Sequence, residues 1–542
     1  MCLPHNPCWV QEELTKFGRE NGKLGNLPDV LDLIKCCVKH KNLSEGRRLH
    51  ADILLQHRFV LQEDIHIHNA LINMYVKCGA IDEAQKMFEI MPIRNIVSWT
   101  VLIWGYNQHG FGHKAVECFV KMCKEGFSPD IVTFICILKA CGGIQSLEIG
   151  EQIHKQVNSL GLLKKDVVLG TTLMDMYAKC GRLDKAQEVF DNLLIRNVVS
   201  WNALISGYAN YGRGDEALKC FRKMQDEGLS PNVITFVCCL KACSSMGFLE
   251  IGKEIHQELE NQDLLGKNIV LCNALLDMYV KCNMLDKARE VLEELPARDV
   301  VSWSTLISGY AQQGLGNEAL CCYKKMQNEG LYPDAVTFIC LLKACRAIEY
   351  LEMGKEIHAE IVKKRLLDKN VVLATTLVDM YANCGQMKKA QEVFTSLPIR
   401  NVVTWNVLIA GYIRHGCNDE AICSMRKMQE EGIPPNAITF TYILKACGAL
   451  ANIAMGEEIH IEVCKRGLLK KNIILSTSLV DMYAKCGALN KAREIFDDIP
   501  APNIVAWSAL IGGYAQHCFG DEAFDCFARM KAAGMSPDVV TF

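Results

Sequence analysis

Tryptophan falls at Trp99, Trp201, Trp303, Trp405 and Trp507, one every 102 residues. The surrounding words recur with it: IVSWTVLIWGY, VVSWNALISGY, VVSWSTLISGY, VVTWNVLIAGY and IVAWSALIGGY. Met-Tyr pairs beginning at Met74, Met176, Met278, Met380 and Met482 keep the same step. A fixed internal period marks a repeat architecture. One unit has been copied about five times, and each copy must bury its apolar face against its neighbours, because no single copy could fold alone.

Each unit subdivides into three segments of unequal length. Val198 to Asn232 has 35 residues, Val233 to Asn268 has 36, and Ile269 to Asp299 has 31. Every segment carries two apolar-periodic stretches of about 12 residues, the signature of paired amphipathic helices. In the first example Trp201, Leu204, Ile205 and Tyr208 make one stripe, and Ala217, Cys220, Phe221 and Met224 the other. Gly212 and Gly214 break between them, and the Gly228 to Pro231 run ends the pair. No alternating strand pattern survives across the copies. The expected fold is an all-α solenoid of about fifteen stacked helix-turn-helix hairpins.

Residues 27 to 538 carry the motifs without a linker, which reads as one elongated domain, and Val539 to Phe542 repeat the start of a further motif. A solenoid needs a polar cap, so the chain is expected to be a fragment of a longer protein. The first 26 residues lack the repeat and carry Glu12, Glu13 and Glu20, unlike a secretory signal or a transit peptide. Half of all residues are apolar, yet no uncharged run reaches the ~18 residues of a membrane span. The 28 cysteines recur at repeat-equivalent places such as Cys141, Cys243, Cys345 and Cys447, or Cys78, Cys180, Cys282 and Cys486. They read as reduced, buried thiols packing between helices.

Three motifs imitate catalytic sites. Gly247 to Lys253 spells most of a phosphate-binding loop, but Glu254 stands where a magnesium-binding Ser or Thr belongs, and no strand precedes it. His256, His358 and His460 each open an H-x-E triplet, and His154 occupies the same place without the Glu. A zinc deaminase also needs C-x-x-C, which occurs nowhere in the chain. Adjacent thiols such as Cys321 and Cys322 have no matching histidine pair. No metal, cofactor, small-molecule substrate or enzymatic activity is expected.

What differs between copies is more informative. The fifth residue of the 35-residue segments is Thr100, Asn202, Ser304, Asn406 and Ser508, and the last is Asp130, Asn232, Asp334, Asn436 and Asp538. In the 31-residue segments the fifth is Asn69, Thr171, Asn273, Thr375 and Thr477, and the last is Asn95, Asn197, Asp299, Asn401 and Asn503. The 36-residue segments hold Ile135, Val237, Ile339 and Thr441 at the fifth place. N-capping explains the Asn or Asp at the end. It does not explain Thr, Ser or Asn one turn into a helix. A variable polar pair on a constant scaffold suits a modular reader.

At this point the chain resembles the pentatricopeptide repeat family, specifically the plant organellar subclass that alternates 35-, 36- and 31-residue motifs. The resemblance covers residues 27 to 542. It implies a right-handed superhelical solenoid in which each motif binds one base of single-stranded RNA, the protein N-terminus lying toward the RNA 5′ end. Reading of one base per helical repeat by two or three side chains is an established mode of recognition. By the same resemblance, Thr or Ser at the fifth place favours a purine and Asn a pyrimidine. The second residues would wedge against base faces: Val97, Val168, Val199, Val270, Val301, Val372, Val403, Ile474 and Val505. His66 departs from that pattern, and the opening segment, Leu27 to Asp64 with Leu31 at its fifth place, is assigned no base. With the 36-residue motifs left blank, the pairs read 5′-YGNAYNUGNAYNAG-3′.

The net charge of −3 gives no bulk attraction for phosphates. Lys77, Lys179, Lys281 and Lys485, and Lys139, Lys241, Lys343 and Lys445, form two ladders that suit either a backbone track or a solvated helix face. The resemblance places the protein in mitochondrion or chloroplast, as the address-reading part of C-to-U editing, with editing-complex proteins as further partners. The rival expectation is a tetratricopeptide-type protein–protein scaffold, which uniform 34-residue spacing would favour.

Overall fold

A computed structural model describes residues 27–56, 64–164, 166–295, 297–368, 370–469, 472–537 and 541. The non-repeat segment 1–26, the final capping residue Asp538 and most of the residues after it lie outside this set. The described residues form fifteen helical hairpins and no strand. They fall into two compact units, one ending at Leu264 and the other starting at Leu265. Each unit is an all-α solenoid.

One repeat of the second unit shows the construction. Its leading helices are Val300–Gln312, Ala335–Ala347 and Val371–Asn383, and its trailing helices are Gly316–Asn328, Leu351–Lys363 and Met387–Ser396. The leading helices stack directly on one another, and trailing helix Gly316–Asn328 packs on its own leading helix and on the next. Part of the shortness of the 31-residue motif lies in its trailing helix, which has 10 residues against 13 in the 35-residue motif.

The recurring words have packing reasons. The tryptophans are buried, and four of them meet a phenylalanine of the preceding trailing helix edge-on, as Trp201 meets Phe190 at 4.5 Å between ring centres. The glycine six residues on permits close approach of leading helices: a Cβ on Gly513 would lie 2.5 Å from the Ala484 Cβ. Leading helices end at a residue with positive φ, such as Gly181 at +75°, and Asn283 takes that conformation at +61° where the third copy lacks glycine.

Two of the three imitations resolve as structure. Gly247 is the left-handed C-cap of Val233–Met246, and Lys253 lies inside the next helix, so no phosphate cradle forms. His154, His358 and His460 place Nδ1 at 2.8, 2.9 and 3.0 Å from the hydroxyls of Tyr177, Tyr381 and Tyr483. Burial holds all three imidazoles below the usual histidine range. They are half-buried packing partners of a neighbouring helix. Cys141, Cys345 and Cys447 are fully buried, and burial pushes their thiols up to about 12. Cys78, Cys180, Cys282 and Cys486 sit differently, half-exposed as helix C-caps.

Candidate nucleic-acid interface

The last residue of each motif is the N-cap of the next leading helix. Asn95, Asp130, Asn197, Asn232, Asp299, Asp334, Asn401, Asn436 and Asn503 all accept a backbone N–H from the first turn of that helix. Capping and recognition are therefore compatible. Asn spends its carbonyl on the cap and keeps Nδ2, while Asp130 and Asp334 cap through Oδ1 and keep Oδ2.

Because leading helices stack on one another within each unit, the fifth residue of one motif faces the cap of the next. Asn202 donates from Nδ2 to Asn232 at 3.0 Å, and Asn406 to Asn436 at 3.2 Å. Asn273 lies 3.3 and 3.4 Å from the two oxygens of Asp299, and Asn69 lies 3.5 Å from Asn95. Thr100 and Ser304 reach Asp130 and Asp334 through an intervening hydroxyl, that of Thr133 or Thr337. Ser508 similarly meets Thr541 at 2.9 Å, its expected partner Asp538 lying outside the described residues. No hydrogen bond joins Thr171 to Asn197, Thr375 to Asn401, or Thr477 to Asn503. Those hydroxyls turn back to the carbonyls of Val167, Val371 and Ile473, at 2.7, 2.7 and 2.9 Å.

Beside the pairs, each unit carries a row of exposed apolar side chains. Val97, Val168, Val199, Val270, Val301, Val372, Val403, Ile474 and Val505 are all more than half exposed. An apolar side chain so exposed at one place in successive motifs marks a contact surface. The row continues through the 36-residue motifs as Val132, Ile234, Val336 and Ile438. These four belong to motifs whose mostly aliphatic fifth place gives no base assignment, yet their second place follows the same pattern as in the others.

The lysine ladders separate. Lys179, Lys281 and Lys485 pair at 2.7–2.8 Å with Asp175, Asp277 and Asp481 one turn back, and Lys77 lies 4.1 Å from the Trp104 ring centre. Lys241 donates to Asn210 at 2.7 Å. Lys139, Lys343 and Lys445 stand exposed. At 100° per residue, the ninth place they occupy lies within about 20° of the second place, so they share the face of the apolar row.

The "PPR repeat family" model matches residues 94–143, 196–245, 298–346, 400–449 and 502–542. The "PPR repeat" model matches residues 66–96, 171–198, 270–300, 372–402 and 475–501. A mitochondrial pentatricopeptide repeat-containing protein of Arabidopsis thaliana is 33% identical over 535 residues, 98% of this chain and 68% of its own length. Two chloroplastic relatives from the same plant are 34% and 33% identical, with 59% and 77% of their lengths spanned and 90% and 88% of this chain. Among solved structures, maize PPR10 matches with a TM-score of 0.60 and 18% identity over 97% of this chain and 86% of that one. PPR10 in complex with an 18-nt psaJ RNA element matches with 0.62 and 17%, over 95% and 80%. The family models and the Arabidopsis relatives together show that the chain belongs to the pentatricopeptide repeat family.

Proposed function

We propose that the chain binds single-stranded RNA sequence-specifically, one motif to one base, with 5′-YGNAYNUGNAYNAG-3′ as its target. The observation that carries this reading is the repeated ledge: a fifth residue and a capping residue, side by side, next to an exposed valine or isoleucine. Each ledge offers hydrogen-bonding groups to a base edge and an apolar wedge to its face, which suits splayed-out bases. The PPR10 complex with an RNA element supports RNA as the ligand. The mitochondrial and chloroplastic relatives support an organellar setting. Within that setting we assign the chain to site recognition in RNA processing of the C-to-U editing class, as a protein of the subclass that alternates three motif lengths. The repeats supply the address, and editing-complex proteins are the partners that act on it.

The purified chain is expected to bind this RNA as a single strand with affinity that falls as salt rises, and to bind its duplex weakly. Equal affinity for single strand and duplex, or binding to neither, would sink the proposal.

A further inference from the structure

We propose that the buried threonine at the third place of each 36-residue motif, seen in Thr133, Thr235, Thr337 and Thr439, is a positioning residue for the base read by the motif before it. The inference rests on the base-reading function above. All four threonines are fully buried. Thr235 donates to Asn202 Oδ1 at 2.7 Å, with Asn232 Oδ1 at 3.1 Å, and Thr439 stands identically toward Asn406 and Asn436, at 2.7 and 3.1 Å. Thr133 lies 2.7 Å from both Thr100 Oγ1 and Asp130 Oδ1. Thr337 lies 2.5 Å from Ser304 Oγ and 2.7 Å from Asp334 Oδ1.

A hydroxyl has one proton and two lone pairs, and counting them fixes what each ledge presents. At Asn202 the threonine proton holds Oδ1, so Nδ2 faces Asn232 and the second N–H is left for the base. Asn232 spends Oδ1 on the cap and on Asn202, and it also presents N–H groups. That ledge is a pair of donors. At Asp130 the threonine proton goes to the carboxylate, the stronger acceptor. Thr100 then gives its own proton to Thr133 or to the Ile96 carbonyl, 2.8 Å away, and keeps a lone pair for the base. That ledge is a pair of acceptors. One threonine enforces opposite polarities, according to the residues it meets.

The 31-residue ledges lack the device. At the third place of the following 35-residue motifs, Ser200, Ser302 and Thr404 send their hydroxyls to the backbone carbonyls of Asn197, Asp299 and Asn401, at 2.8, 2.9 and 2.8 Å, and Ser98 sends its hydroxyl to Asn95 Oδ1 at 3.0 Å, not to a fifth residue. Asn273 Oδ1 is accordingly buried with no partner.

The test uses Thr235→Val and Thr235→Ser in the full chain, with Ser302→Ala as a control that removes a comparable cap bond without touching a fifth residue. Binding is measured to 5′-YGNAYNUGNAYNAG-3′ with its fifth or seventh base varied, and Tm is followed in parallel. Thr235→Val is expected to flatten the fifth-base preference by about tenfold while the seventh-base preference persists. Thr235→Ser should restore it, and Ser302→Ala should lower Tm without changing preference at either base. Thr439→Val repeats the experiment at the eleventh base should Thr235→Val fail to fold. An unchanged fifth-base preference in a folded Thr235→Val overturns the positioning role and leaves base reading intact. A wild-type chain with no preference at the fifth base overturns base reading itself, and this inference with it.

Discussion

Asn273→Thr isolates one reading pair. In the native chain Asn273 Nδ2 sits 3.3 and 3.4 Å from the Asp299 oxygens, so the ledge combines an amide donor with a carboxylate acceptor. Uracil offers an N3–H donor between two carbonyls, which matches that combination. A threonine here is expected to turn its hydroxyl to the Ile269 carbonyl, as Thr171 and Thr375 do toward Val167 and Val371 at 2.7 Å. Its proton is then spent, and the ledge becomes two acceptors, suited to guanine N1–H and its exocyclic amine. Uracil loses about one hydrogen bond and guanine gains one, each worth roughly 1 kcal/mol net. The U-to-G ratio should therefore fall by about 2 kcal/mol, roughly thirtyfold. Stability should change little, within about 1 kcal/mol, because the lost amide bond is offset by removal of the buried, unpartnered Asn273 carbonyl. Fluorescence anisotropy with all four bases at the seventh position, at fixed salt, reads the ratio directly. Lys343→Ala is the contrasting variant, expected to weaken every sequence alike and to reduce the salt dependence. If Asn273→Thr moves U and G binding equally, Asn273 and Asp299 do not read that base, even if RNA still binds.

Native-state alkylation with mass mapping should label the exposed Cys321, Cys423, Cys464 and Cys518 first and spare Cys141, Cys345 and Cys447, whose burial holds the thiols near 12. Early labelling of the second group would contradict the packing. Acidification tests the histidine–tyrosine contacts: burial lowers the folded pKa of His154, His358 and His460, so the neutral form is the stabilised one. Their stabilising contribution is present above roughly pH 6.5 and is lost as pH falls below it through the lowered folded pKa. The fall in Tm from neutral to acidic pH should be shallower in a His154→Gln/His358→Gln/His460→Gln variant, and an unchanged slope would refute the assignment.

The fold was legible because every local signal agreed with the period. The stripe through Trp201, Leu204, Ile205 and Tyr208 is the buried face of Val198–Asn210. The caps at Asn197 and Asn232 start successive leading helices at the motif boundaries that the sequence period sets. Consistency between helical phase, capping and repeat length leaves one way to stack the chain. The lysines were less legible. Asp175 stands four residues before Lys179, a helical ion-pair spacing, yet a ladder read only by its period conceals the carboxylates that neutralise Lys179, Lys281 and Lys485. Exposed charge on this face is supplied by Lys139, Lys343 and Lys445, in the 36-residue motifs.

Within the candidate site, sequence showed which residues vary but not how they are held. Thr235 looks in one dimension like half of a capping box, satisfied by Asn232 three residues before it. Its bond to Asn202 spans 33 residues, and only the stacking of one leading helix on the next creates it. The same stacking explains why the fifth place tolerates Thr, Ser and Asn. Each fits under the following cap, and each can exchange a hydrogen bond with a neighbouring hydroxyl or a backbone carbonyl. An aliphatic side chain there would leave the threonine with only its own cap to satisfy, while a longer polar chain would have to displace the buried neighbours. The fifth place is thus under two demands, to close the interface between motifs and to leave one polar group facing outward. Ile135, Val237 and Ile339 meet only the first demand. Their side chains lie partly buried at the stack and offer no hydrogen bond, so under the proposed function a base beside them would be held only by its face, against Val132, Ile234 and Val336. Under the proposed function, a chain built this way would read bases through its 35- and 31-residue motifs and grip one wherever the fifth residue is aliphatic, as at Ile135, Val237 and Ile339.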